Sequence, residues 1–101
     1  MGDLDNDARI AVEKSTDKMI KDAKNIDENY KSILIAQGIE PNLETLLSFI
    51  NGFIFGIVSG IYLFKHKRAL NSEETIELIN LLKKRTFKLR QAIIYPRISP
   101  Y

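Results

Sequence analysis

Cysteine is missing from this chain, histidine occurs once, and the three prolines all lie outside its apolar and amphipathic stretches. The first absence removes disulfide frameworks, a thiolate nucleophile and cysteine-ligated zinc. His66 stands between Lys65 and Lys67, a setting for a solvated side chain rather than a ligand or a base. No phosphate-cradling loop occurs, because the glycines fall at helical intervals and no Lys-Ser/Thr follows them. The serines have no histidine at useful spacing, and the acids sit on polar faces beside basic neighbours. No nucleophile, metal cage or poised carboxylate pair can be assembled from these residues. The sequence therefore predicts a protein that is not an enzyme, with no catalytic, cofactor-binding or metal-binding residues and no small-molecule substrate. A signal peptide is not expected, since the first apolar run starts past residue 42. Nucleic acid is not an expected partner either: the basic surplus sits on one helical segment without an aromatic platform or an arginine-rich groove.

Each half of the chain is poor in charge of one sign. Residues 1–44 hold ten acidic and six basic side chains, whereas residues 65–101 hold nine basic and three acidic ones. Between them lies Thr45–Phe64, twenty residues with neither charge nor proline. As a helix this run is about 30 Å long, close to the thickness of a bilayer's hydrocarbon core. Two readings follow. In the first, the run is a single membrane span with the acidic half on one side. The basic half, retained by the positive-inside rule, then faces the cytoplasm or an organellar matrix. Tyr62, Lys65, Lys67 and Arg68 are then its interface anchors. In the second, the run is the buried core helix of a soluble cytoplasmic bundle.

Within the run, Ser48, Gly52, Gly56 and Gly60 recur every four residues. Interior glycine costs a helix up to about 1 kcal/mol relative to alanine. Three at this spacing suggest a ridge over which another helix approaches closely, with Asn51 placed to hydrogen-bond across it. In a bilayer, Gly56→Leu would hold a partner helix away; in a bundle it is expected to overpack the core.

The flanks also read as helices. Val12, Met19, Ile26 and Ile33 recur every seven residues, with Ala23 and Tyr30 between them. Thr16 weakens that stripe. This predicts a long amphipathic helix over 8–37, unbroken or folded back near Asn25–Asp27, after a frayed Met1–Asp7. Gly38 and Pro41 end it, and Asn42 caps the next helix, over 43–67. Asn71 and Glu74 form a capping box opening a third, over 72–94. Its apolar stripe is backed by a basic surface of Lys83, Lys84, Arg85, Lys88 and Arg90, suited to an anionic membrane face or to solvent. Residues 97–101 are expected to be an extended tail.

The expected architecture is all-α in three segments: 1–41 amphipathic, 42–68 apolar and 69–101 basic. Other protein subunits, or a second copy, are the expected partners, with a lipid bilayer in the spanning case. In layout the chain resembles small supernumerary subunits of respiratory or ATP-synthase complexes. In the soluble case its length and run of helices are similar to small bacteriocin-immunity proteins. The expected function is accordingly that of an accessory or assembly subunit of a membrane complex; the alternative is a soluble binding or inhibitory module.

Overall fold

The computed structural model describes residues 4–95. The described residues form four helices and no strand: α1 Asn6–Lys21, α2 Ala23–Ala36, α3 Leu43–His66 and α4 Ser72–Ile94. The tail expected over 97–101 lies outside the described residues.

The long N-terminal helix is two helices. The break is a single residue, Asp22, whose backbone (φ −115°, ψ 36°) departs from helical values. It falls before Asn25–Asp27, which continue inside α2. The ladder nearly survives it, since Asp22 N–H reaches the Lys18 carbonyl at 3.1 Å and Ile26 N–H the Asp22 carbonyl at 3.0 Å. The break is therefore a bend and not a fold-back. The seven-residue stripe fails at its far end: Ile33 is 41% exposed and Leu34 is buried in its place. Within α2 the buried line runs through Ala23 and Leu34, eleven residues and so close to three whole turns apart, whereas Ile33 lies one residue, about 100°, off it.

The helix ends follow local chemistry. At the end of α2, Gly38 takes a left-handed φ of 77°. Gly38 N–H then donates to the Ile35 carbonyl and Ile39 N–H to the Leu34 carbonyl, both at 2.9 Å, a Schellman closure. Asn42 caps α3 in a box whose second member is Thr45, and Asn71 caps α4 with Glu74. The expected fraying of Met1–Asp7 fails from Leu4 onward. Leu4 is buried, and the Asp5 carboxylate accepts from Asp7 N–H as the cap of α1.

Long-range contacts fix the helix directions. Asp5, at the start of α1, meets Tyr62, Lys65 and His66 at the end of α3. Arg9 pairs with Glu77, and Thr16 with Arg85. Helix α1 thus runs antiparallel to α3 and parallel to α4, lying behind both. Helix α2 bends onto the first half of α3, where Tyr30 meets Phe49 edge-on at 5.4 Å. The core combines Val12 and Met19 of α1, Leu34 of α2, a stripe of Ile50, Ile54, Val58 and Tyr62 on α3, and Leu78, Leu82 and Leu89 of α4. Each of these large side chains contributes roughly 1.5–3 kcal/mol by burial.

Candidate docking face

Only one side of α3 enters that core. The helix is long and apolar enough to cross a membrane, yet only 33% of its most apolar stretch is buried. Residues two positions away from the buried stripe fall on the opposite side of an α-helix. Ser48, Gly52, Gly56 and Gly60 lie there, all exposed. A Cβ built at Gly52, Gly56 or Gly60 would meet nothing within 4 Å. Among the described residues, no helix rests on the ridge. Beside it stand Phe53 (50% exposed), Leu63 and Phe64 (79%). Overpacking by Gly56→Leu, expected for a bundle, does not apply, because the space above the glycine is open.

Asn51 faces a different neighbour. It is half-buried, and its Oδ1 accepts from the Thr86 hydroxyl of α4 at 2.9 Å. It therefore ties α3 to α4 through its amide oxygen.

The residues expected as interface anchors are engaged within the fold. Tyr62 is 1% exposed, and its hydroxyl accepts from Asp5 N–H at 2.7 Å. Lys65 bridges Asp5 at 3.0 Å and Asp7 at 2.8 Å, and His66 Nε2 lies 2.9 Å from Asp5. Hydrogen bonds from His66 and then Lys65 hold the Asp5 carboxyl far below the usual carboxylate range. Donating to Asp7 and then to Asp5 raises the Lys65 ammonium. Lys67 closes α3 in a left-handed conformation (φ 58°), with Nζ donating to the Phe64 carbonyl at 2.9 Å. Arg68 grips Glu74 through two nitrogens at 2.8 and 3.0 Å. With the Asn71 N–H also donating, and Arg68 the leading cause, the buried Glu74 carboxyl is lowered to about 2.

The basic surface divides in the same way. Lys83, Lys84 and Lys88 are exposed and make no ion pair among the described residues. Arg85 turns inward, its side chain 14% exposed, donating to the Thr16 hydroxyl at 2.7 Å and pairing with Asp17. Arg90 reaches Glu44 at 2.6 Å. The Thr16 hydroxyl also donates to the Val12 carbonyl at 2.8 Å, so the weak point of the stripe is a satisfied polar contact.

These cross-helix pairs were missed by reading the sequence one helix at a time. Their signal was the charge imbalance itself: acids of the first half (Asp5, Asp7, Asp17, Glu44) meet bases of the second (Lys65, Arg85, Arg90). Comparison with known proteins returns no matching family model, no similar curated protein and no similar solved structure, so the face is read on its own geometry.

Proposed function

We propose that the protein is a non-enzymatic helical binding module that receives a helix of another protein on the outer side of α3. One observation carries this reading. The fold buries one side of α3 and leaves the glycine-ridged half of it uncovered, with open space above Gly52, Gly56 and Gly60. Glycines in a helix interior lower its stability, and no internal contact offsets that loss here. A partner helix does so by packing against exposed backbone. The polar ties along α3 favour a bundle over a separate span. Asn51–Thr86 and Arg90–Glu44 hold α4 against it, and the Asp5 clasp holds α1. The test is co-purification or site-directed cross-linking with the partner. Gly56→Leu is expected to abolish association and leave the isolated bundle folded; unchanged association would remove the ridge from the account.

A second reading, the accessory subunit of a membrane complex, keeps the support of the apolar window on α3. It requires α1 and α4 to release α3 so that the acidic and basic halves lie on opposite sides of the bilayer. Carbonate extraction with protease protection of each terminus decides between the two. Retention in the pellet with the termini on opposite sides supports the span; solubility without detergent supports the bundle.

A further inference from the structure

We propose that the partner helix sits in the groove between α3 and α4 and carries acidic residues two turns apart. This rests on the reading of the outer side of α3 as a docking face, since Ser48 and Gly52 of the ridge lie three residues before Asn51 and Phe55 of the groove and so beside them on the helix surface, and it specifies the chemistry of what docks. Two observations about α4 carry it. First, α4 has a second apolar stripe that the core does not use. Ile76, Ile79, Phe87 and Ile94 are 59%, 43%, 62% and 44% exposed, and spacings of three, eight and seven put them on one side of the helix. Second, Lys83 and Arg90 lie on that same side, seven residues and therefore about 10.5 Å apart along the axis.

The stripe borders an open cavity of about 440 Å³ between the helices, lined by Asn51 and Phe55 of α3 and by Ile79, Leu82, Thr86 and Phe87 of α4, with Lys83 and Arg90 beside them. Its shape follows from the packing. Helix α1 fills the space behind α3 and α4, and no described helix occupies the space in front of them. A four-helix bundle buries apolar stripes of this kind with a helix in that position, and helix-in-groove docking is a recurrent mode of recognition.

Charge selects the occupant. Lys83 makes no ion pair among the described residues, and Arg90 holds Glu44 through Nη2 alone. An incoming helix with Asp or Glu at positions i and i+7 meets both cations. A second copy does not: an isologous contact brings the same cation-bearing stripe from each side, and like charges in contact are unfavourable. A bilayer surface would meet the bulky side chains but leave the recess between the helices unfilled.

The test is selection of a displayed library of amphipathic helices against the full-length protein, followed by titration of a synthetic peptide from the enriched set. Enriched clones are expected to carry acids at two positions seven apart. The peptide should bind about tenfold tighter than its counterpart with lysine at both positions. Lys83→Glu, an exposed change that should leave the melting curve in place, is expected to reverse the preference at one of the two positions. No enrichment of helices overturns the proposal, as does enrichment without charge preference. In the latter case, loss of binding on Gly56→Leu would leave the docking face standing and remove only the acidic partner. Co-sedimentation with phosphatidylglycerol-rich vesicles that the peptide does not reverse would assign the groove to lipid. A concentration-dependent dimer dissolved by the peptide would assign it to a second copy. Either result overturns the proposal.

Discussion

Replacing Gly52, Gly56 and Gly60 together by alanine should make the isolated protein more stable. The reasoning starts from the empty space above each one: a Cβ meets nothing within 4 Å at any of the three, and none has a positive φ. The new methyl groups cost no repacking, while each substitution removes the entropic penalty of a helical glycine, about 0.5–1 kcal/mol. Three sites give about 2 kcal/mol if they act independently, as exposed positions a full turn apart should. For a chain of this size 1 kcal/mol moves Tm by roughly 4–8 °C, so a rise of about 10 °C is expected. Circular dichroism melts over a dilution series measure it, with the series separating folding from association. A partner helix resting on the ridge should bind the triple variant more weakly, so stability and binding move in opposite directions. A fall in Tm of the isolated chain would refute the reasoning, because it would mean that the ridge is already covered.

Other positions give equally direct outcomes. Tyr62→Phe keeps the ring in the core but removes the acceptor for Asp5 N–H, and should cost about 1–2 kcal/mol in denaturant unfolding; no loss would mean that water replaces the hydroxyl. Lys67→Gly relieves a left-handed residue at the end of α3 and should stabilise by about 1 kcal/mol, read as a higher denaturation midpoint with unchanged slope. Glu74→Gln should destabilise in a pH-dependent way. The folded carboxyl titrates near 2 against an ordinary value of 4.5, so its contribution is complete above about pH 4.5 and is lost as pH falls through 2. The stability gap between the wild type and Glu74→Gln should therefore be widest near neutrality and close on acidification; a gap that widens in acid would contradict the Arg68 pairing.

The all-helical class was legible because its signals are local. The caps at Asn42 and Asn71 and the stop at Gly38 each depend on residues within one turn. The bend at Asp22 was not legible, because neither glycine nor proline marks it and the ladder continues on both sides. The fates of Arg85, Arg90 and Tyr62 were illegible for another reason. Basic and aromatic residues at those positions read as surface or interface from one helix alone, and their burial or pairing depends on which helix lies alongside. Thr16 is the sharpest case. As a stripe residue it is a flaw, and beside Arg85 it is an acceptor. The glycine spacing stood out in the sequence; which side of α3 the chain itself would cover did not.

The clasp between the start of α1 and the end of α3 also constrains the order in which the chain can fold during synthesis. Asp5 waits for Tyr62, 57 residues later, and Arg9 and Thr16 wait for Glu77 and Arg85, 68 and 69 residues later. Contacts this distant in sequence form only after the intervening loop has closed, which slows folding. Until α4 emerges from the ribosome, only α1 and α2 can pack on the 24-residue α3, and the part of its inner side that α4 covers stays open. During that interval the open apolar surface is the part of the chain most prone to non-native association. The time taken to make α4 then sets how long that surface stays open.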